Sequence, residues 1–445
     1  MYTPNYFIPR FAWEIKTGAE KPMELEALRE TIRDADEQIA ALFVRRMEAA
    51  REIAAYKRDH GLPVEDPAQE ARVLSGRGKL IADEALRPYY LDFLRGTMDV
   101  SKRWQRRFYD DGALRVSLGA ASYDVVLRCG CLAEAGTLLD LDRRVLVVTD
   151  EGVPARYAEA VAAQCASPLV FTAPEGETCK TPAVLQRLLE TMLRSGFTRG
   201  DCVCAVGGGA VGDLAGLAAA LYMRGIDFYN VPTTLLAQAD SCVGGKTGID
   251  LSGVKNAAGV IRQPKKVLID PEVLDTLLPE AVACGMAEAL KAGLIGDASL
   301  FARFETGEAA RAPEQTVAAA LRVKIRIVEQ DVSERGARRA LNFGHTIGHA
   351  IESVTGLPHG ACVALGMLPM CAPPLRPRLE RILERLGLPT SVQADRAAVY
   401  SAMTHDKKTE DGRIRAVFVE TPGSCEIRAV APETLRDGID MVVKE

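Results

Sequence analysis

The chain has 445 residues, of which 48% are hydrophobic and 26% charged, and its formal net charge is −5. A slightly acidic chain without long runs of one charge offers no electrostatic surface for nucleic acid or an anionic membrane, so neither is expected as a partner. The length exceeds what one hydrophobic core usually covers and predicts two or three domains.

No stretch approaches the roughly 20 apolar residues that span a bilayer. The opening residues, MYTPNYFIPRFAWEIK, lack the basic region and apolar core of a secretory signal, so we expect a cytoplasmic protein. The eleven cysteines form no CxxC pair and lie largely in apolar runs such as CVCAV. We expect buried thiols in a reducing compartment rather than disulfides or a structural zinc site.

The N-terminal part has the periodicity of helices. Apolar residues recur at steps of three and four over residues 24–57, which contain neither Gly nor Pro and predict one long helix. A shorter helix should begin near Asp66 and a third should cover residues 83–108, with Pro88 in its opening turns. Three helices without a strand bury their apolar stripe poorly, so dimerisation is expected.

The helical period ends in YDDGALRVSLGAASYDV, where apolar and polar residues begin to alternate as in a strand. This change places a domain boundary near Asp110. The short apolar runs RRVLVVTD and DCVCAVGGG are each followed by helical sequence, as buried parallel strands are. After about Asp270 strands vanish and helical sequence dominates nearly to the end. We predict an N-terminal extension (1–22), a helical domain (23–109), an α/β nucleotide-binding domain (110–270) and an all-α domain (271–445).

Two glycine-rich segments suggest anion binding. Gly207, Gly209 and Gly212 in AVGGGAVGDLAG satisfy G-x-G-x-x-G after a predicted strand and at the head of a helix, where backbone N–H groups can meet a pyrophosphate. A purely structural turn is the alternative. DSCVGGKTGID lacks the opening glycine of a phosphate-binding loop, but Lys246 remains a cation in flexible backbone, suited to an anionic substrate.

Three of the five histidines, His345, His349 and His359, lie within RALNFGHTIGHAIESVTGLPHG. The first two share one face of a helix, but HTIGH lacks the glutamate of a zinc-protease helix, so one is expected to bind a metal and the other to assist it or transfer protons. Glu288 in CGMAEALKAG is the candidate acidic ligand, and two His with one Glu leave a position open for substrate. Histidines satisfied within a polar helical pocket are the alternative.

A series of motifs follows the order seen in 3-dehydroquinate synthase, which the chain resembles from about Asp110 to its C-terminus: GGGAVGDLAG, YMRG, PTTLLAQADSCVGGKTGID, KNAAG, GMAEALKAG, RRALNFGHTIGHAIE, HG and DKK. The resemblance implies a Rossmann-like NAD-binding domain and a helical domain holding zinc or cobalt as a Lewis acid. It implies that NAD transiently oxidises a hydroxyl of the sugar acid phosphate DAHP, that phosphate is eliminated, and that re-reduction, ring opening and aldol closure give 3-dehydroquinate.

The resemblance also assigns residues. The implied metal ligands are Glu288, His345 and His359. The implied NAD-binding positions are Gly207, Gly208, Gly209, Asp213, Thr233, Thr234 and Lys255, with Asp150 and Lys180. The implied substrate and proton-transfer groups are Asp240, Lys246, Asn256, Lys291, Lys324, Arg338, Asn342 and His349. Arg224 is implied to reach the substrate phosphate across a homodimer interface, and Lys407 or Lys408 to close over the substrate.

The segment LRETIRDADEQIAALFVRRMEAAREIAAYKR resembles chorismate mutase of the all-helical class. The resemblance implies conversion of chorismate to prephenate by charge complementarity and enforced folding of the substrate, without a nucleophile or cofactor. Both activities belong to the shikimate pathway and aromatic amino-acid biosynthesis. The implied site residues are Arg29 of the other subunit, Arg46, Lys57, Asp66, Glu70, Ser101 and Gln105. A non-catalytic dimerisation or regulatory module is the alternative.

Three features depart from these families. Ala361 follows HG where the synthase family usually has Glu, MLPMCAPPLRPRLERILERLGLP is shorter than usual and contains a Pro pair, and Gln69 stands where the mutase pocket has an Arg. Another sugar-phosphate cyclase, such as 2-deoxy-scyllo-inosose synthase, or a metal-dependent polyol dehydrogenase is the alternative. The anion-binding motifs DSCVGGKTGID and DKK argue against the dehydrogenase, and Arg338 and Asn342, which suit a carboxylate, favour dehydroquinate as the product.

Overall fold

The computed structural model describes residues 25–60, 62, 64, 66–109, 113–405, 409–410 and 412–445. The chain divides into two compact units, Met1–Phe108 and Tyr109–Glu445. The boundary predicted near Asp110 falls between described segments, and the division at residue 270 stays a prediction. Within the described part of the chain, no helix has both the length and the apolar character that a membrane span requires.

The first unit contains the three predicted helices: α1 (Leu25–Asp59), α2 (Pro67–Gly78) and α3 (Arg87–Tyr109). Asp66 caps α2, since its carboxylate accepts the backbone N–H of Gln69, and Pro67 occupies the first helical position. Large apolar side chains of α1 stay exposed, including Ile32 at 62% and Leu42 at 63%. The long helix therefore has an apolar stripe that the described residues of this unit leave exposed.

The second unit begins with nine strands. They are β1 (Ala113–Val116), β2 (Tyr123–Leu127), β3 (Arg144–Asp150), β4 (Ser167–Ala173), β5 (Cys202–Gly207), β6 (Asp227–Pro232), β7 (Lys246–Leu251), β8 (Val254–Ile261) and β9 (Lys266–Ile269). Seven form one sheet in the order β1-β2-β9-β6-β5-β3-β4, in which β1 is antiparallel to β2 and the other pairs are parallel. β7 and β8 form a separate antiparallel hairpin.

The sheet has its topological switch point between β3 and β5. These strands are neighbours, yet the chain continues from β3 to β4 on one side and from β5 to β6 on the other. Parallel α/β sheets bind ligands in the crevice at such a point, beyond the carboxyl ends of the strands. Asp150 ends β3 and Gly207 ends β5, so the fold brings these two positions to the same crevice.

Helices cover both faces of the sheet, as predicted for buried parallel strands. Leu188 and Val211 pack in the core on one face, and Tyr157 and Val161 in the core on the other. The helices are α4 (Ala135–Leu138), α5 (Ala155–Ala162), α6 (Pro182–Arg194) and α7 (Gly209–Leu221). Short 3₁₀ turns occur at Gly119–Ala121, Cys131–Glu134, Gly176–Cys179, Tyr222–Arg224, Pro271–Thr276, Ala337–Asn342 and Pro432–Leu435.

The remainder is mainly helical: α8 (Pro279–Gly296), α9 (Ala298–Glu305), α10 (Glu308–Arg311), α11 (Pro313–Gln330), α12 (His345–Thr355), α13 (His359–Met370), α14 (Arg376–Arg385), α15 (Arg396–His405) and α16 (Arg436–Val442). The three-part fold class is confirmed, but the expectation that strands vanish after Asp270 needs correction. Five short strands occur: β10 (Val392–Gln393), β11 (Thr409–Glu410), β12 (Arg413–Phe418), β13 (Glu426–Val430) and β14 (Val443–Lys444). RIRAVF in β12 alternates charged and apolar residues, which is the period of a strand.

The region around the Pro pair, Pro373 and Pro374, forms a turn between two helices. α13 contains Pro369 in its last turn, and α14 begins after the Pro pair. The Arg376 guanidinium donates hydrogen bonds to the backbone oxygens of Cys371, at 3.0 Å, and Pro369, at 3.4 Å. One side chain thus satisfies carbonyls that the end of a helix leaves without a partner.

Candidate metal and cofactor site

The histidines converge where α12 and α13 begin. His345 is the first residue of α12, His349 lies one turn later, and His359 is the first residue of α13. Each offers a ring nitrogen, and these three atoms lie within 4.8 Å of one another. Imidazole nitrogens converging at such distances are typical donors for zinc and similar divalent metals.

α8 adds a buried carboxylate to the cluster. The Glu288 side chain is 1% exposed, and its Oε1 lies 3.3 Å from His359 Nε2 and 3.6 Å from His345 Nε2. Oε2 lies 2.5 Å from Lys291 Nζ, and beyond these ion pairs neither oxygen has a hydrogen-bond partner. The structure thus brings the three predicted ligands together, and their donor set fits a catalytic divalent metal.

Glycines allow these helices to approach. A Cβ on Gly366 of α13 would lie 1.9 Å from the backbone oxygen of Gly344, which precedes α12 at φ +78°. A Cβ on Gly360 would lie 2.4 Å from the Cys284 backbone of α8. Because a side chain at these positions would separate the backbones, the glycines set the distances between the histidines and Glu288.

Burial and charge set the protonation of the cluster. Burial lowers the pKa of His345 well below its usual range, with Lys291 adding to the effect. Burial alone would also lower the pKa of His359, but its contacts with Glu288 and Glu352 outweigh burial and raise it to about 9. Burial would raise the pKa of Glu288, yet Lys291 and the histidines hold it well below its usual range. The Glu288 carboxylate is therefore ionised and the His345 ring is neutral, as metal ligands must be, whereas His359 has to release a proton when a metal binds.

A second buried polar group surrounds Asp240, which lies in a π-helical turn, Ala237–Ser241. Lys324 Nζ lies 2.7 Å from Asp240 Oδ1 and 2.5 Å from its backbone oxygen, and Lys291 Nζ lies 3.7 Å from Oδ2. Burial opposes the charge, but the two lysines lower the pKa of Asp240 to about 2. Burial lowers the pKa of Lys324. π-Helical turns occur often at functional sites, and this one connects Asp240 to two cations.

A third group contains Glu334, which sequence reasoning missed. Its carboxylate forms an ion pair with Lys246 and accepts a hydrogen bond from Asn342 Nδ2 at 2.8 Å. Glu334 has φ +60°, a strained conformation for a residue with a side chain. A charged residue between the predicted anion-binding groups in SERGARRALN was the available signal. Lys246 also differs from expectation, because it begins strand β7 rather than lying in flexible backbone.

Arg338 holds the chain near this group. It is 1% exposed, and its guanidinium donates to the backbone oxygens of Val332 at 2.6 Å and Gly244 at 2.9 Å. Its Nε has no hydrogen-bond partner. Burial lowers the pKa of Arg338. Two of its three nitrogens thus tie loops together, and Nε is the one left for any further contact.

The glycine loop forms the head of α7. Gly208 precedes the helix without a side-chain cap, so N–H groups of the first turn stay available to a ligand. Thr233 N donates to the Gly207 carbonyl at 2.9 Å, and Thr234 Oγ1 accepts from Ala237 N at 3.2 Å. The first bond holds the end of β5 against the loop after β6, and the second orders that loop internally.

Lys180 lies beside this loop. Its Nζ contacts Asp213 Oδ2 at 2.8 Å and Asn256 Oδ1 at 2.5 Å, so Asn256, predicted to contact substrate, lies with the cofactor-side residues. Asp150 accepts the backbone N–H groups of Gly152 and Gly176, at 3.0 and 3.1 Å. An uncapped helix start with a buried acid at the switch point fits a dinucleotide.

Two further predicted cations, Lys255 and Arg224, belong to other segments of the second unit. Lys255 lies on β8, and its Nζ contacts Glu352 Oε1 at 2.5 Å. Arg224 is exposed and, like Met223, adopts positive φ, at +69° and +48°. Consecutive strained residues of this kind often mark functional turns. Lys407 and Lys408 lie outside the described residues.

In the first unit, two predicted cations contact backbone oxygens. Arg46 Nη1 donates to Thr97 at 3.2 Å, and Lys57 Nζ donates to Val64 at 2.6 Å. Lys102, which sequence reasoning did not consider, pairs with Glu70 at 3.1 Å. Of the other predicted residues, Ser101 and Gln105 are buried, Asp66 caps α2, and Arg29 forms an exposed pair with Glu26. Gln69 Oε1 accepts from Arg72 Nε at 3.0 Å.

Three family models match the chain. Residues 170–284 match the model described as 3-dehydroquinate synthase N-terminal, and residues 285–409 match 3-dehydroquinate synthase C-terminal. Residues 28–106 match chorismate mutase type II. The first two models cover strands β5 to β9, the glycine loop and the histidine cluster of the second unit, and the third covers most of the three helices of the first.

Curated relatives match nearly three quarters of this chain along nearly their whole length. A 3-dehydroquinate synthase from Bradyrhizobium sp. (strain BTAi1) is 40% identical over 367 residues, covering 74% of this chain and 96% of the relative. One from Streptococcus sanguinis is 39% identical over 351 residues, covering 73% of this chain and 98% of the relative.

Solved structures share the fold. The 2-epi-5-epi-valiolone synthase ValA from Streptomyces hygroscopicus subsp. jinggangensis, with NAD+ and Zn2+ bound, has a TM-score of 0.67 and 26% identity over 73% of this chain and 98% of its own. A 2-deoxy-scyllo-inosose synthase complexed with carbaglucose-6-phosphate, NAD+ and Co2+ has a TM-score of 0.67 and 23% identity, covering 74% of this chain and 99% of its own. At that identity the second likeness concerns the fold alone.

Proposed function

This chain belongs to the 3-dehydroquinate synthase family, and from that premise we propose how its residues convert DAHP to 3-dehydroquinate and phosphate. The chain is a fusion of this synthase with a chorismate mutase, two enzymes of the shikimate pathway. The observation that carries the proposal is the convergence of three histidines and Glu288 beside two buried lysines. Identity near 40% to dehydroquinate synthases, against 26% to a valiolone synthase, favours DAHP as the substrate.

The two cofactors belong at different sides of the cluster. Glu288, His345 and His359 would hold a divalent metal, zinc or cobalt, which supplies a Lewis acid for a substrate oxygen. The glycine loop and the head of α7, with Asp150, Lys180, Asp213 and Lys255 nearby, would hold NAD, which supplies a reversible hydride acceptor. The uncapped start of α7 supports the assignment of NAD. The buried Glu288 carboxylate facing imidazole nitrogens supports the assignment of the metal.

Cations of this chain neutralise the anionic substrate. Lys246 and Asn342 already bind a carboxylate, that of Glu334, so this pair suits the carboxylate of DAHP. Lys291 and Lys324 share Asp240 and stay buried, which strengthens their field on charge that develops nearby. Arg224 would reach the phosphate from the other subunit, and Lys407 or Lys408 would close over the substrate.

His349 is positioned for proton transfer. Its ring centroid lies 5.1 Å from that of His345 and 5.5 Å from that of His359, and it is less buried than His345. An imidazole beside a metal site can accept or return a proton near neutral pH. We assign it the proton that becomes acidic after oxidation and must leave before phosphate is eliminated.

The mutase site would use charge complementarity and enforced folding of the substrate, without a nucleophile or cofactor. Chorismate carries two carboxylates and an ether oxygen that gains negative charge as its bond breaks, so Arg46 and Lys57 supply the complementary cations. Lys102 lies beside Glu70 and stands one residue after Ser101, where it adds a cation to a site in which Gln69 replaces an expected Arg. Arg29 would come from the second subunit, which the exposed stripe of α1 supports.

No disulfide joins any of the eleven cysteines, and burial raises the pKa of several, that of Cys202 to about 12. Thiols that stay protonated and outside disulfides support a reducing compartment, the cytoplasm, for this enzyme. The partners we propose are the two small substrates and a second copy of the chain.

The test of the synthase compares substrates. The purified chain with NAD and zinc should release phosphate from DAHP and form 3-dehydroquinate, identified by NMR, and should release none from glucose 6-phosphate. Release from glucose 6-phosphate instead would assign the chain to another cyclase class.

The test of the mutase uses the full chain. Arg46→Ala should abolish prephenate formation from chorismate while leaving phosphate release from DAHP at the parent rate. Absence of chorismate turnover and binding in the parent would instead make the first unit a dimerisation or regulatory module.

A further inference from the structure

We infer that Glu352 is a positioning residue that presents His359 to the metal, an inference that rests on the proposed metal site. Glu352 lies on α12, seven residues after His345, and its side chain is 13% exposed. Its Oε2 lies 3.0 Å from Nδ1 of His359. It is an acidic residue of the cluster to which neither sequence motif nor proposed mechanism gives a role.

The hydrogen bond fixes which nitrogen faces the site. A carboxylate can only accept, so Nδ1 of His359 donates to Glu352, and Nε2 is left as the nitrogen that can offer a lone pair to a metal. Nε2 is the atom that lies 3.3 Å from Glu288 Oε1, inside the cluster. Glu352 therefore selects the tautomer that a metal at this position requires.

His345 is held in the same way by a different partner. Its Nδ1 lies 3.0 Å from the backbone oxygen of Phe343, which leaves Nε2 to face Glu288. The two predicted histidine ligands thus share one arrangement, with Nδ1 held outside the cluster and Nε2 directed into it. The partner of His359 is a side chain and that of His345 is the backbone, and the His359 side chain is the more exposed, at 32% against 11%.

Lys255 holds the carboxylate from its other side. Lys255 Nζ lies 2.5 Å from Oε1 of Glu352, so each oxygen has one partner and the carboxylate has a defined orientation. Lys255 lies on β8, whereas Glu352 lies on α12. Through Glu352, Lys255 thereby connects the β7–β8 hairpin, which we place beside NAD, to His359, a proposed ligand of the metal.

The test measures zinc affinity by chelator competition for the full chain and two variants. Glu352→Gln keeps the volume and loses the charge, whereas Glu352→Asp keeps the charge and shortens the side chain. A positioning role predicts binding about 10 to 100-fold weaker for Glu352→Gln, in the range seen when such partners of metal ligands are removed. It predicts that Glu352→Asp stays closer to the parent. A packing role predicts the opposite order, because only Asp leaves a cavity, and that order would overturn the inference.

Two reference variants complete the design. Glu305→Gln removes a glutamate bound by Arg378 at 2.6 and 2.8 Å, away from the histidines, and should keep the zinc affinity of the parent. His345→Ala removes a proposed ligand and should lose tight binding. If the parent binds zinc no better than His345→Ala, the proposed metal site fails and the inference fails with it. If the parent binds tightly and Glu352→Gln equals it, only the inference fails.

A cobalt spectrum supplies a second readout that does not depend on activity. Co²⁺-loaded Glu352→Gln should show visible absorption bands displaced from those of the parent, because a rotated His359 ring changes the ligand field. Far-UV circular dichroism of the same samples confirms that the variant is folded. Superimposable Co²⁺ spectra for parent and variant would contradict the inference.

Discussion

Glu334 binds Lys246 and Asn342, the two side chains that we propose for binding the substrate carboxylate. Its carboxylate pairs with Lys246 and accepts from Asn342, in a strained backbone conformation with φ +60°. Burial would raise the pKa of Glu334, but Lys246 and Asn342 lower it, so the side chain is ionised. The residue keeps both groups ordered before substrate binds.

Glu334→Ala should therefore reduce kcat/KM for DAHP by about 100-fold, the effect expected when catalytic groups are misplaced by about 1 Å. Phosphate release at varied DAHP concentrations measures this loss. Glu433→Ala, which changes an exposed glutamate outside the cluster, is the control and should match the parent. A Glu334→Ala enzyme with parental kcat/KM would show that the pair needs no such partner.

Single residues also show which parts of the site could be predicted from the sequence and which could not. The predicted ligands Glu288, His345 and His359 meet because motifs specify their identities and α8, α12 and α13 bring them together. Arg338 was predicted to contact substrate, but two of its guanidinium nitrogens donate to backbone oxygens of the protein instead. Long side chains choose partners from distant segments, and sequence spacing does not contain that choice.

At the scale of elements, glycines determine how closely the helices that carry the histidines can approach each other. Gly366 and Gly344 let α13 contact the backbone before α12, where a Cβ would lie 1.9 Å from an oxygen. Gly366→Ala should lower the free energy of unfolding by about 1–3 kcal/mol, the usual cost of overpacking a core. Thermal or urea unfolding measures this change.

The control for this variant is Gly200→Ala. A Cβ at Gly200 would meet only Thr198 Oγ1, at 3.8 Å, so the free energy of unfolding should stay near the parent value. Equal stability of Gly366→Ala and the parent would mean that the two backbones separate at little cost.

Strong periodic patterns predicted most elements. α1 was predictable from its long apolar stripe at helical spacing. β3 and β5 were predictable from short continuous apolar runs that end in turn or charged residues. The hairpin of β7 and β8 was missed, since its glycine-rich sequence is typical of a loop. The strands β12 and β13 were missed because short, half-exposed strands depend on pairing with each other rather than on a buried run.

At the scale of the whole molecule, the position of Arg224 predicts a shared site. It lies on an exposed, strained turn, and we propose that it reaches the substrate of a second copy. Arg224→Ala and Lys324→Met should each be inactive alone. After mixing and subunit exchange, about a quarter of the parental activity should return, because half the dimers are mixed and each has one intact site.

Phosphate release from DAHP measures this recovery, and each variant incubated with itself is the control. Mixtures that stay inactive despite subunit exchange, verified by mass-tagged subunits, would show that each site uses its own Arg224.

We propose that a metal held by Glu288, His345 and His359 is what makes the second unit an active dehydroquinate synthase. The most direct test is phosphate release from DAHP by the metal-stripped chain with NAD, before and after zinc is added, in the parent and in His359→Ala. We predict that the stripped parent is inactive, that zinc restores release, and that His359→Ala stays inactive at the same zinc concentration. Zinc-independent release, or full activity of His359→Ala, would contradict the account.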